Sequence, residues 1–200
     1  MSDFNLVDNT SVEVDGLSEI ISEILVDQGL ENVSEVKVDD FNFSNVSDSA
    51  YKITADGKEF LIVREEDLQS VAVADAESAP LELLQKVTDW EIGEYIDYEH
   101  FQDYIVSDYK NHEGLTGNAL QKLTEKELES LRAQGALKYL GDTLSLTGDN
   151  LLQALIDNRL VNVLEIAQAY VNDEGPAAIL SSDGEERSLD ASDEFVWFKL

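Results

Sequence analysis

The sequence predicts an α+β fold: an antiparallel sheet made from an N-proximal and a C-terminal hairpin, with a block of helices packed on one face. Three observations lead there. Asp56-Gly57 joins the β-rich runs 51–55 and 58–63; Asp183-Gly184 stands between the strand-like runs 177–181 and 195–199; and the residues between the hairpins repeat their apolar positions at helical spacing.

In chain order, Leu17, Ile20, Ile21, Ile24 and Leu25 recur at helical spacing with Glu19 and Glu23 opposite them, and Gly16 and Gly29 bracket that helix. The partial alternation over 33–38 predicts a short strand. Residues 1–48 hold twelve acids and one base, Lys37, and are expected to form a separately packed, partly mobile region; 49–200 are expected to form the α+β domain. Tyr51-Lys52-Ile53-Thr54-Ala55 and Lys58-Glu59-Phe60-Leu61-Ile62-Val63 flank a two-residue Asp-Gly turn, which suits type I′ because glycine accepts positive φ. Arg64-Glu65-Glu66-Asp67 then opens a helix with Leu68, Val71, Ala72 and Ala76, its first-turn acids complementing the helix dipole. Pro80 restarts a helix carrying Leu81, Leu83, Leu84 and Val87.

Trp90 to Ile105 is acidic and aromatic and is expected to be one helix, with Asp97, Phe101, Tyr104 and Ile105 on one side and Glu99 and Asp103 on another. Residues 112–122, with Gly114 and Gly117, are expected to be loop, and Thr124-Glu125-Lys126-Glu127 a capping box that opens the next helix. Gly148-Asp149-Asn150 introduces helical runs over 151–159 and 160–171, and 177–181 and 195–199 are expected to be strands. No repeat of fixed period and no low-complexity tract is present.

Charge is the compositional outlier. Against 43 acids stand 13 bases, a formal net charge of -30 over 200 residues. Self-repulsion of that size opposes compaction while drawing cationic surfaces in. Nucleic-acid binding rests on Lys and Arg against phosphates, so direct DNA or RNA binding is disfavoured, as is an anionic membrane surface. With no cysteine, disulfides, zinc fingers, iron–sulfur clusters and thiol nucleophiles are excluded. No apolar run approaches a bilayer span, and the acidic start Met1-Ser2-Asp3-Phe4-Asn5 lacks a signal-peptide profile, so a cytoplasmic location is expected.

Chemistry-bearing patterns are sparse. His100 lies among Asp97, Glu99 and Asp103, a setting for a metal ligand or a carboxylate-oriented base, but its spacing fits no HExxH-type motif and the ordinary reading is a solvated helix-face histidine. His112 sits beside Glu113 without an evident partner. Asp56-Gly57, Asp142 and Asp183-Gly184-Glu185-Glu186 do not supply the ligand alternation of an EF-hand loop. Walker A, GxGxxG and GxSxG motifs are absent, carboxylates are too numerous to single out an acid/base pair, and neither an enzyme nor a cofactor is expected.

What remains is clustered acid. Residues 89–113 carry eight acids and only Lys110; residues 173–194 carry eight and only Arg187. Carboxylates four apart on a helix lie about 6 Å apart along its axis, comparable to the step between phosphates of a nucleic-acid strand. A row of them can stand in for a phosphate backbone in a basic groove, with an affinity that falls steeply in salt. The competing reading is a solvated acidic face, including one adapted to high salt.

Two segments carry resemblances. Ile179-Leu180-Ser181-Ser182-Asp183-Gly184-Glu185-Glu186 with Phe195-Val196-Trp197-Phe198-Lys199 resembles the C-terminal signature of small acidic proteins encoded by tailed bacteriophages. Those proteins also begin with a strand running into an acidic helix, as Phe60-Leu61-Ile62-Val63-Arg64-Glu65-Glu66-Asp67 does here. The resemblance spans roughly residues 58–200 with most of the middle unmatched; this chain adds residues 1–50 and a longer insertion between Glu186 and Phe195. It implies a phage origin and no particular activity. Glu94-Tyr95-Ile96-Asp97-Tyr98-Glu99 with Asp103 is similar to a short motif of Ard-type antirestriction proteins, which are acidic DNA mimics, although that motif lies near their C-terminus and here lies mid-chain.

The combined expectation is a phage-encoded acidic protein that binds a basic nucleic-acid-handling host protein of a restriction, CRISPR or transcription complex and inhibits it. Glu91, Glu94, Asp97, Glu99, Asp103 and Asp108 are the expected contact residues. The alternatives are a virion structural or assembly protein and a salt-adapted cytosolic protein.

Overall fold

The computed structural model describes residues 4–10, 16–30, 32–41, 49–87, 89–108, 116–134 and 136–200; for 89–91, 105, 108, 131–134, 136, 143 and 144 it describes the backbone only. The fold is α+β, with a mixed, mostly antiparallel six-stranded sheet. The chain divides into two compact units: a sheet unit of Met1–Ser78 with Tyr170–Leu200, and a helical unit of Ala79–Ala169. The division falls after Ser78 and not at the expected boundary of 48/49, because strands from the first 48 residues hydrogen-bond into the same sheet as the hairpin that follows them.

In the sheet unit, β1 (Asn5–Asp8) leads through α1 (Leu17–Asp27) to β2 (Glu35–Asp40), and β1 and β2 run parallel. β3 (Ala50–Ala55) and β4 (Lys58–Arg64) form the hairpin around Asp56-Gly57, both at positive φ. β6 (Phe195–Lys199) pairs with β4, and β5 (Arg187–Ser188) with β6, giving the order β1-β2-β3-β4-β6-β5. Four of the five pairings are antiparallel; β1–β2 is the departure from the expected sheet.

Strand alternation sends side chains to two faces, and both are covered. Val36, Val38, Tyr51, Ile53, Phe60, Ile62 and Trp197 cluster with Leu17, Ile20, Ile21, Ile24 and Leu25 of α1. Leu61, Val63, Val196 and Phe198 cluster with Leu68, Val71 and Ala72 of α2 (Leu68–Ser78), Val171 of α9 (Val163–Glu174) and Leu180 of α10 (Ala177–Leu180). Helices therefore lie on both faces of this sheet rather than on one, because β4 and β6 are apolar on both their odd and even positions. Each such buried side chain contributes about 1.5–3 kcal/mol. α1 ends in a Schellman motif: Leu30 N–H donates to Leu25 O at 2.7 Å and Gly29 N–H to Val26 O at 3.1 Å, with Gly29 in the left-handed region that glycine adopts without strain.

The expected strand over 177–181 is the helix α10. Pro176 at its N-cap already holds helical angles, and four apolar residues are too few for periodicity to separate strand from helix. Its strand partner's place is taken by β5, beyond the Asp183-Gly184 turn.

The helical unit contains α3 (Pro80–Lys86), α4 (Asp89–Glu94), α5 (Tyr98–Asp108), α6 (Gly117–Gln134), α7 (Ala136–Leu144) and α8 (Asp149–Asp157). α3 packs on α8, α4 on α7 and α5 on α6, around buried Leu83, Ile92, Phe101, Leu140, Leu155 and Leu160. Phe101 and Tyr139 meet edge to face at 6.1 Å, and the Tyr139 hydroxyl donates to Glu127. Thr124 does not open a helix: α6 begins at Gly117, inside the expected loop, and buried Thr124 donates its hydroxyl to Leu120 O in mid-helix. Gly114, His112 and Glu113 lie outside the described residues.

Candidate functional site

The expected acidic row does not lie on one helix. α4 stops at Glu94, Ile96 bridges to Val161, and Asp97 caps the start of α5. Asp97 Oδ1 accepts the backbone N–H of His100 at 2.9 Å and of Glu99 at 3.1 Å, while Oδ2 meets His100 Nδ1 at 2.7 Å. These bonds, led by the His100 backbone N–H, hold the Asp97 carboxyl below the usual carboxylate range. Its side chain is 33% exposed against 54% for His100, so Asp97 works within its own helix end while the imidazole stands in solvent. Of the other expected contacts, Glu94, Glu99 and Asp103 are exposed. Glu91 and Asp108 fall in α4 and α5 by backbone, and their side chains lie outside the described residues.

No acidic residue among the described residues is buried as a whole, although Oδ1 of half-buried Asp40 is; Ser49 and Thr124 are the buried polar residues. The acids are unevenly shared. The sheet unit holds 27 acids and 6 bases, a formal charge of -21; the helical unit holds 16 acids and 7 bases, a formal charge of -9. Four of the sheet unit's bases are engaged by its own carboxylates: Lys37 by Glu35, Lys52 by Glu59, Arg64 by Glu194, and Arg187 by Asp183 and Glu185.

A cleft of about 650 Å3 opens in the sheet unit between α1 and the C-terminal strands, lined by Ser22, Glu23, Val26 and Asp27 on one side and Arg187, Ser188, Asp190 and Trp197 on the other. Glu23 bridges it: its carboxylate accepts the backbone N–H of Asp190 at 2.6 Å and of Ala191 at 2.8 Å. Arg187 stacks 4.9 Å from the Trp197 ring centroid and reaches Asp183 Oδ2 at 2.7 Å and Glu185 Oε2 at 2.8 Å. Its hydrogen bonds to Asp183 hold that carboxyl far below the usual range and push the guanidinium up. The one cation of the cleft is thus neutralised, and Asp27 and Asp190 leave the opening negative.

Among the described residues no group of three or more His, Asp or Glu is placed to hold a metal ion. No helix of the described residues is long and apolar enough to cross a membrane. Sequence reasoning missed the Glu23 clamp and the Arg187–Trp197 stack. Local periodicity places Glu23 only on the polar face of a helix, because its partners lie 167 and 168 residues away.

No family model, curated protein or solved structure matches this chain.

What the arrangement offers chemically is negative potential: outward carboxylates on packed elements, with most of the sheet unit's cations already engaged. A surface of that kind attracts and orients a cationic partner.

Proposed function

We propose that this is a phage-encoded acidic binding protein that occupies the basic groove of a host nucleic-acid-handling complex and inhibits it. The observation that carries the reading is the sheet unit's charge of -21 on a scaffold where the described acids, the buried Oδ1 of Asp40 apart, stay exposed or half-buried and four of six bases are internally paired. The carboxylates of that unit form the main contact surface, and within the helical unit Glu94, Glu99 and Asp103 are the proposed contacts. Asp97 supports the site as the cap of α5, with its carboxylate already engaged by the His100 and Glu99 N–H groups. The phage origin rests on the resemblance of 179–186 and 195–199, and the mode of inhibition on the spacing of helix-borne carboxylates.

The test is retention of a basic nucleic-acid-binding protein from host lysate by the immobilised full chain at low salt, with release by high salt and by added duplex DNA. Retention with displacement by DNA is the expected result. A retained protein that DNA leaves in place contradicts occupation of a nucleic-acid groove, and failure to retain any basic protein at low salt contradicts the binding role.

A further inference from the structure

The sheet's two ends differ in what they leave open. At one end β5 is two residues long and its Arg187 is tied into the Asp183–Glu185–Trp197 cluster. At the other, β1 is an edge strand bonded on one side only: among the described residues no strand lies beyond it. Asn5 N–H donates to Ser34 O and Asn9 N–H to Val38 O, both at 2.9 Å, which fixes the odd-numbered residues of β1 as the ones facing β2. By strand alternation the backbone N–H and C=O of Leu6, and the N–H of Asp8, face outward.

Edge strands are usually blunted by being very short, by charged side chains, lysine above all, by a proline, by a bulge or by a covering element; β1 has four residues where β5 has two, and its one charge is Asp8 at the end of the strand. Asn5-Leu6-Val7-Asp8 holds neither proline nor base, and its register with β2 is unbroken over four residues. Leu6 packs its side chain against the α1-side core, which anchors the strand without using its outer edge. The edge also lies in the more acidic unit: β1 carries exposed Asp8 and no base, and on the neighbouring β2 exposed Glu35 engages the one base, Lys37. A cationic strand is attracted to such an edge more than a second copy of this acidic chain.

We propose that the outer edge of β1 receives an extended, lysine- or arginine-bearing segment of the partner as a seventh strand, bonded through Leu6 and Asp8. This mode of strand addition rests on the acidic-binder reading and supplies it with what charge alone lacks: a defined direction and register.

The test uses the isotope-labelled full chain with two synthetic peptides of equal charge, one alternating lysine with valine and the other of the same sequence with every backbone nitrogen methylated. Both are drawn to the acidic surface, but the methylated peptide has no N–H in either strand register and cannot complete a ladder. The expected result is that the unmethylated peptide slows amide exchange at Leu6 and Asp8 by at least about tenfold, and the methylated peptide does not. Binding of both peptides with no added protection at Leu6 and Asp8, or with protection at another strand, overturns the strand-addition proposal and leaves the acidic-binder reading standing. Amides at Leu6 and Asp8 that are already protected in the free protein also overturn it, since the edge is then covered. Failure of both peptides to bind at low salt overturns both.

Discussion

The sheet unit and the helical unit place their charge on different scaffolds. The sheet unit carries -21, buries Tyr51, Phe60 and Phe198 completely, and is closed by contacts between residues far apart in the chain. The helical unit carries -9 and, among the described residues, buries Phe101 completely. Repulsion among carboxylates opposes compaction, so the unit with the larger charge needs the larger apolar return. Covering the sheet on both faces supplies it. The lesson is that the acidic surface is carried by the part of the molecule best able to hold it, not by the row of acids most visible in the sequence.

The largest expected effect is a direct attack on that scaffold. Phe60→Ala empties a site packed against Trp197 at 5.9 Å and is expected to cost about 3–5 kcal/mol, measured by denaturant unfolding. A loss below about 1 kcal/mol breaks the idea that core burial offsets the charge. Next is the long-range clamp: Glu23→Ala leaves the N–H groups of Asp190 and Ala191 without their carboxylate, at an expected cost of about 1–2 kcal/mol because water reaches the site. Amide exchange at those two residues should rise more than anywhere in the helical unit. In the helical unit, Asp97→Ala removes the cap of α5 and should cost about 1 kcal/mol, while Asp97→Asn, which keeps the capping oxygen, should cost less.

The smallest effect is a titration. Asp183 is held well below the ordinary carboxylate range, chiefly by Arg187. A lowered folded-state pKa stabilises at pH above the unfolded value of about 3.9, and that contribution is lost as pH falls through it towards the folded value. Carbon-13 detection of the Asp183 carboxylate should follow this low titration, and Arg187→Gln should return it towards the ordinary range.

Local signals in the sequence read well where one contact layer decides the structure. Gly16 and Gly29 bracket α1, Asp56-Gly57 turns the β3–β4 hairpin, and Pro80 starts α3. The readings that failed are those decided by distant partners. β1 is too short for periodicity and exists through pairing with β2 across α1. The expected helix over 90–105 breaks at 95–97 because Tyr95 O and the Asp97 N–H bond to Asn162 and Leu160. Asp97, read as part of an outward acidic row, is drawn inward by the helix end it caps, whereas Glu94, Glu99 and Asp103 stay exposed.

The central claim is that the sheet unit's carboxylates, more than the 89–113 row, engage a basic partner. The direct measurement compares two full-chain variants of equal charge change: Glu19→Gln, Asp27→Asn, Asp190→Asn in the sheet unit, and Glu94→Gln, Glu99→Gln, Asp103→Asn in the helical unit. Retention of basic nucleic-acid-binding protein at low salt should fall several-fold more for the first than for the second, in line with charge-pair losses at an interface. Equal retention by both, or a larger loss from the helical-unit variant, contradicts the account.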